Sequence, residues 1–259
     1  MPKSLDTENA VASRYSAAAQ AVEPALCCPV DYDADFLKII PSEVIERDYG
    51  CGDPSKYVRN GETVLDLGSG GGKICFIASQ VVGASGRVIG VDMNDEMLTL
   101  ARKCQPIVAD AIGYDNITFC KGRIQDMAVD RDAVARYLQS NPVTDEATLR
   151  HLESFIATQR REQPMIAAES VDVVVSNCVL NLVDSTEKQT LFTEIFRVLK
   201  DGGRAVISDI VADQVVPEHL QQDATLWSGC ISGALRDEDF VRAFEEAGFH
   251  GVEVVVMQA

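Results

Sequence analysis

The chain has 259 residues, with 40 Asp and Glu against 23 Lys and Arg, a formal net charge of −17. At 46% hydrophobic and 24% charged it has the balance of an ordinary soluble domain, long enough for one large α/β core. A surface this acidic repels phosphate backbones and anionic lipid, so nucleic acid and membrane are not expected partners, and no apolar run approaches spanning length. Residues 1–6 carry no signal-peptide core, and a cytoplasmic location is expected.

Residues 1 to about 25 are Ala-rich around Ala17-Ala18-Ala19 and read as a helical lead-in with little core pattern. The segment from Cys27 to Tyr57 is turn-rich, with Pro29, Pro41, Gly50, Gly52 and Pro54. Regular patterning begins at Thr63-Val64-Leu65-Asp66-Leu67, a short buried strand, followed by a glycine loop over 68–72 and a helix over 73–82. A second strand is expected over 87–92, a helix from Asn94 to about 112, and a third strand over 116–120. Residues 127–169 are polar and helix-prone, broken at Pro142, and read as a helical insertion.

The fourth strand is expected over 171–175. Asp184 with Glu187 makes a capping-box-like helix start, and Leu191, Ile195, Val198 and Leu199 mark one apolar helix face. Asp201-Gly202-Gly203 is expected to end that helix ahead of a fifth strand over 204–209. A helix near 237–247 and a sixth strand over 252–256 complete the pattern. Apolar strands alternating with helices predict a doubly wound, mostly parallel sheet covered on both faces, a Rossmann-like α/β fold. The expected division is an N-terminal extension and cap segment over 1–60, carrying Cys27, Cys28 and Cys51, and an α/β unit over 61–259.

Ligands of such sheets bind at the carboxyl ends of the strands, so the glycine loop is the first candidate site. A phosphate-binding P-loop needs four residues between its first glycine and Gly-Lys; here three separate Gly68 and Gly72, and Ile74 follows Lys73 where Ser or Thr is required. A dinucleotide fingerprint fits Gly68 and Gly70 but places its third glycine on Lys73. Asp66 at the strand end disfavours a pyrophosphate and suits a cofactor with a cationic amino group and no phosphate. S-adenosylmethionine is such a cofactor. Asp92, ending the second strand, is placed to accept from ribose hydroxyls, Met93 offers a polarizable face to adenine, and 122–126, with Ile124 and Gln125, follows the third strand where the adenine edge would lie.

The string Val64-Leu65-Asp66-Leu67-Gly68-Ser69-Gly70-Gly71-Gly72 resembles motif I of class I methyltransferases. Eight cysteines are then conspicuous: in a reducing compartment they form no disulfide framework, and they lack the spacing of a zinc site. The strings Arg47-Asp48-Tyr49-Gly50-Cys51-Gly52, Ser176-Asn177-Cys178-Val179-Leu180-Asn181-Leu182-Val183 and Trp227-Ser228-Gly229-Cys230-Ile231-Ser232-Gly233-Ala234-Leu235 resemble the arsenite S-adenosylmethionine methyltransferases, over roughly residues 14–250. That resemblance implies that Cys51, Cys178 and Cys230 hold trivalent arsenic as substrate, with no resident metal. It also implies that Tyr49, Gly68, Ser69, Gly70, Asp92, Met93 and Ile124 touch the cofactor, and that Cys27 or Cys28 is an N-terminal redox cysteine. A thiol reductant, thioredoxin or glutathione, is implied as co-substrate, and arsenic detoxification as the role.

Cys75, Cys104 and Cys120 are read as packing residues, and Trp227 either covers the site or anchors its loop. Thiolates suit a soft acceptor, and three of them leave the arsenic lone pair free to attack a methyl without a general base. Against the family pattern, the sequence stops after the sixth strand, without a seventh strand or C-terminal domain, which predicts an uncovered sheet edge. Two other readings stay open: a methyltransferase of a small organic substrate with structural cysteines, and a non-catalytic metalloid-binding protein.

Overall fold

A computed structural model describes residues 6–26 and 30–255, so Cys27 and Cys28 lie outside the described residues. The chain begins with α1 (Thr7–Gln20), α2 (Ala34–Leu37) and α3 (Ser42–Glu46), then alternates through β1 (Thr63–Leu67), α4 (Lys73–Val82), β2 (Arg87–Asp92), α5 (Asp95–Ile112) and β3 (Ile117–Lys121). Helices α6 (Arg131–Ser140) and α7 (Glu146–Glu162) occupy the expected insertion ahead of β4 (Val171–Asn177). There follow α8 (Lys188–Val198), β5 (Leu199–Ser208), α9 (Glu218–Gln221), α10 (Ala224–Ser228) and α11 (Asp237–Glu246). Among these residues no helix is long and apolar enough to cross a membrane.

The five strands form one parallel sheet in the order β3-β2-β1-β4-β5. Side chains alternate across it. Val64, Val173 and Val175 join Ile74, Phe76 and Leu98 in one core layer, while Leu65, Leu67 and Val174 join Leu191, Ile195 and Phe244 in the other. Each such fully buried side chain contributes roughly 1.5–3 kcal/mol, which makes the sheet the rigid part of the molecule. Chain order reverses between β1 and β4, so the carboxyl ends of these two strands flank the switch point where such sheets bind ligands.

Helix α5 starts as expected: Asn94 caps it, its side chain accepting from the Met97 N–H at 3.0 Å. Three expectations need correction. Asp184 accepts from the N–H and hydroxyl of Thr186, forming a tight turn, and α8 begins four residues later without a side-chain cap. The Asp201-Gly202-Gly203 segment lies within β5, whose register against β4 shifts between Val171 and Val173; the extra residues are absorbed as an irregularity in the ladder instead of a helix end. Residues 252–255 form no strand, Val256 lies outside the described residues, and among the described residues β5 is one edge of the sheet. Val254 and Val255 are exposed: β-branched composition makes no strand without a paired ladder.

Candidate active site

A cleft of about 420 Å³ opens at the carboxyl ends of β1, β2 and β4. All nine residues expected to touch a cofactor line it: Tyr49, Asp66, Gly68, Ser69, Gly70, Asp92, Met93, Ile124 and Gln125. The loop after β1 is pulled toward β2, since the Gly68 and Ser69 N–H groups donate to Val91 O (2.8 and 3.1 Å). Gly68 has φ +66°, and a Cβ there would sit 2.5 Å from Val179 Cγ1, so the loop passes the β4 end closely only as glycine.

The two acids of this half differ. Asp92 is fixed by the backbone, its oxygens accepting from the N–H groups of Gly70 and Asn94, both at 2.8 Å. Burial raises its pKa and these donors oppose the rise. Each oxygen keeps a lone pair for a further donor, as ribose binding requires. Asp66 is almost fully buried and accepts only a weak bond from the Cys75 thiol (3.2 Å). Burial pushes its carboxyl up to about 8, with the charges of Asp92 and Asp48 adding to the rise. A cationic group brought beside Asp66 would return it to the ionised form. The Ser69 hydroxyl is buried in the same loop with no hydrogen-bond partner. An orphaned donor, an acid lacking its cation and a carboxylate with free lone pairs are what an amino-acid nucleoside would satisfy, so the residues present fit S-adenosylmethionine.

Lys73 takes no part in phosphate binding. Its Nζ donates to Asp48 Oδ2 at 2.8 Å and lies 3.5 Å over the Tyr32 ring, tying α4 to the N-terminal segment. Helix α1, expected only as a lead-in, lies along the rim of the cleft. Asn94 donates to Ala12 O and Ser16 Oγ, Thr7 donates to Asp184, and Arg123 pairs with Glu8. At its far side, Arg14 donates to Thr225 O (2.8 Å) and Ser228 Oγ (3.2 Å) on α10. Tyr15 lines the cleft with its ring edge to Tyr49, centroids 6.1 Å apart; burial, then the nearby Cys230 and Cys178 thiols, raise its pKa.

The structure brings Cys51, Cys178 and Cys230 together from three loops. Cys178 follows β4 directly and lines the cleft. The Cys230 thiol donates to the Cys178 carbonyl oxygen at 2.9 Å, and Cys51 Sγ lies 3.8 Å from Ser208 Oγ, whose carbonyl accepts from Cys178 N–H, so the three thiols gather around Cys178. The neighbouring Cys178 thiol, then burial, hold the Cys51 thiol far above its ordinary range, and the neighbouring Cys230 thiol does the same for Cys178. Among the described residues, no group of three His, Cys, Asp or Glu side chains is arranged to hold a metal ion. Cys178 and Cys230 have φ +62° and +64°; among the described non-glycine residues only Glu169 shares this left-handed conformation. Such strain costs of order 1–3 kcal/mol per residue and persists only where surrounding bonds over-determine it.

Those bonds come from residues that sequence reasoning left without a role. Asn177 accepts from the N–H groups of Cys51 (2.9 Å) and Gly52 (3.0 Å) and donates to Gly52 O (2.7 Å), clamping the Cys51 loop to the end of β4. A Cβ at Gly50 would collide with that Asn177 amide. Cys178 N–H donates to Ser208 O (2.7 Å), and Ser208 Oγ lies 3.8 Å from Cys51 Sγ. Asn181 donates to Asp209 Oδ1 (2.8 Å), Ile210 O (2.6 Å) and Cys230 O (3.4 Å). Trp227 is the loop anchor, its indole N–H donating to Leu182 O at 3.1 Å. The sequence signal was present: Asn177 and Asn181 flank Cys178, and Asp209 closes β5, but their partners lie up to 126 residues away. Cys75 and Cys104 are buried in the core layer of α4 and α5, as expected of packing residues, and Cys120 packs partly buried against the opposite layer.

A family model described as "Methyltransferase domain" matches residues 59–248. Similar curated proteins are arsenite methyltransferases from Halobacterium salinarum (37% identical over 225 residues, 86% of this chain and 46% of the relative) and from Aquipseudomonas alcaligenes (36% over 227 residues, 86% and 55%). The human arsenite methyltransferase is 32% identical over 217 residues, covering 83% and 48%. Among solved structures, an arsenic (III) S-adenosylmethionine methyltransferase from Chlamydomonas reinhardtii superposes with TM-score 0.64 at 31% identity, covering 88% of this chain and 62% of that one. The chain thus spans about half the length of the curated relatives it matches. Its parallel sheet is the class I S-adenosylmethionine methyltransferase fold. With a family model matched over most of its length, the chain belongs to the methyltransferase-domain family.

Proposed function

We propose that this chain transfers methyl groups from S-adenosylmethionine to trivalent arsenic held by Cys51, Cys178 and Cys230. The observation that carries this reading is the meeting of three thiols from distant loops at the switch point, with the middle one, Cys178, lining the cofactor cleft. The arsenite relatives support the same substrate.

Asp92 would hold the ribose, Met93, Ile124 and Gln125 the adenine, and Asp66 with the Ser69 hydroxyl the amino-acid end. Bound there, the cofactor supplies an electrophilic methyl on a positively charged sulfur. The Cys51 and Cys178 thiols start protonated, since the neighbouring thiols and burial hold them far up. Arsenite carries hydroxyls, so each thiol proton leaves with one hydroxyl as water and an arsenic–sulfur bond forms, with no net proton to dispose of. The strained backbone at Cys178 and Cys230 sets the direction of the sulfurs before substrate arrives. Tyr15 and Tyr49 form an aromatic wall that limits water on the rim. No general base is required, because arsenic carries its own lone pair.

A thiol reductant, thioredoxin or glutathione, would return pentavalent product to the trivalent state, with Cys27 or Cys28 as an accessory redox thiol and detoxification in the cytoplasm as the role. The proposed division into a cap segment over 1–60 and a cofactor-binding unit over 61–259 fits the placement of Cys51 and α1 over the sheet end. The test is mass spectrometry after the full chain is incubated with arsenite, methyl-labelled cofactor and glutathione. Labelled methylarsenicals are expected; tight arsenical binding without label transfer would favour a sequestering protein, and no binding would favour an organic substrate.

A further inference from the structure

Resting on that reading, we propose that Asp209 is a positioning residue for charge: its half-buried carboxylate stabilises the positive charge that arsenic acquires in methyl transfer. As the reaction proceeds, the arsenic lone pair forms the new As–C bond while the carbon–sulfur bond breaks and its electron pair returns to the cofactor sulfur. Sulfur becomes neutral, and arsenic, bound to three sulfurs and one carbon, becomes formally cationic. A preorganised negative charge on the acceptor side therefore favours product-like geometry over ground state, which is the condition for acceleration.

The placement of Asp209 suits this task. It follows β5 and stands where the three cysteine segments converge. Oδ2 accepts from Leu180 N–H, two residues past Cys178, at 2.8 Å; Oδ1 accepts from Asn181, whose same amide reaches Cys230 O, and from its neighbour Ile210 N–H at 2.9 Å. The preceding residue, Ser208, touches both Cys51 and Cys178. Its charge acts on the Cys51 and Cys178 thiols and opposes their ionisation. Burial pushes its own carboxyl up only to about 6, the Ile210 N–H and the Lys188 charge opposing the rise, so it is ionised at neutral pH.

Lys188 is the counterweight. It is buried, donates to Leu180 O (3.3 Å) and Gly233 O (2.7 Å), and its charge interacts with Asp209 and Cys230. The carboxylate thus acts by charge on Cys51 and Cys178, and the ammonium on Cys230. A carboxylate that served only to tie loops together would affect binding and chemistry alike; one that acts through its charge affects the chemistry alone. Arsenite binding exchanges neutral thiols and hydroxyls for neutral arsenic–sulfur bonds and water, so removing the charge leaves it little changed, but withdraws support from cationic arsenic, which slows transfer.

The experiment compares wild type with Asp209→Asn in the full chain, measuring arsenite affinity without cofactor and the single-turnover rate of methyl transfer with arsenite and glutathione. The expected result is arsenite affinity within about twofold of wild type with a rate about 10- to 100-fold lower, and partial recovery of the rate in Asp209→Glu. An unchanged rate, or a parallel loss of binding and rate in a folded variant, overturns the inference. If Asp209→Asn does not fold, Lys188→Gln carries the test: little-changed binding with faster transfer supports the charge role, and unchanged or slower transfer overturns it. Wild-type protein that binds no arsenite overturns the parent reading itself, and this inference with it; wild type that binds and methylates while Asp209→Asn does so equally well overturns only the inference.

Discussion

The glycine loop and the thiol cluster meet at the same sheet edge but are built differently. The cofactor half is carried by strand ends: Asp66 and Asp92 lie on β1 and β2, each within a ladder of five consecutive parallel backbone pairs, and the backbone itself bonds Asp92. The thiol half is carried by three loops, drawn together by side chains, Asn177, Asn181, Asp209 and Lys188, across 28 to 126 residues. A ladder positions its residues through many equivalent bonds, so no single side chain is decisive. A loop cluster depends on a few amides and charges, each leaving buried partners unpaired when removed. The cofactor half should therefore tolerate change outside its reactive acids, and the thiol half should fail through residues that touch no substrate.

The largest effect is expected at the point where the halves meet. Cys178→Ser replaces the thiol that lines the cleft, and methyl transfer to arsenite should fall by at least about a hundredfold, since a misplaced acceptor loses in-line approach; single-turnover kinetics check this, and a loss below tenfold would separate Cys178 from the chemistry. Next comes Asp92→Asn. Cofactor affinity measured by calorimetry should drop by roughly 10- to 100-fold, the value of one or two charge-assisted bonds.

Asn177→Ala tests the comparison itself, because Asn177 borders the cleft but its amide is engaged by the Cys51 loop. Freed of its clamp, the Cys51 loop should lower arsenite affinity by about tenfold while cofactor affinity stays within twofold. Equal losses in both affinities would mean the halves are not independent.

Asp66 gives a pH signature. Its folded carboxyl, raised to about 8 against an ordinary value of 3.8, binds its proton more tightly than the unfolded chain does. Without cofactor, this group's contribution to stability is full below about pH 4 and falls as pH rises toward 8. Asp66→Asn should remove that part of the slope and raise the melting temperature at pH 8 more than at pH 4. An identical slope in the variant would show that Asp66 is ionised in the ligand-free fold. The smallest effect is reserved for Cys120→Ser, a half-buried packing cysteine away from the cleft, which should leave methylation within twofold.

Much of this arrangement was legible in sequence because its signals are local. The strand-acid-glycine pattern at 63–72, the Asp92 strand end and the Asn94 cap each depend on neighbours within a few residues, and the structure realises them where the pattern places them. The three cysteine strings pointed to a site, but neither their contact nor the left-handed backbone at Cys178 and Cys230 follows from local preference, which disfavours that conformation. Asn177, Asn181, Asp209 and Lys188 stood in plain view without a visible role because their partners are tertiary. Helix α1 was legible as a helix but not as a wall of the cleft: its Ala-rich surface shows little core pattern, and its bonds to Asn94, Arg123 and α10 are polar. At 252–255 the β-branched residues promised a strand, but strand formation needs a partner ladder that local composition does not supply.

The central claim is that all three thiols bind one arsenic atom. X-ray absorption at the arsenic edge, on the full chain loaded with equimolar arsenite, tests it most directly. The account predicts three sulfur neighbours and no oxygen in the wild type, falling to two sulfurs and one oxygen in both Cys51→Ser and Cys230→Ser. An unchanged three-sulfur shell in either variant, or oxygen neighbours in the wild type, would contradict it.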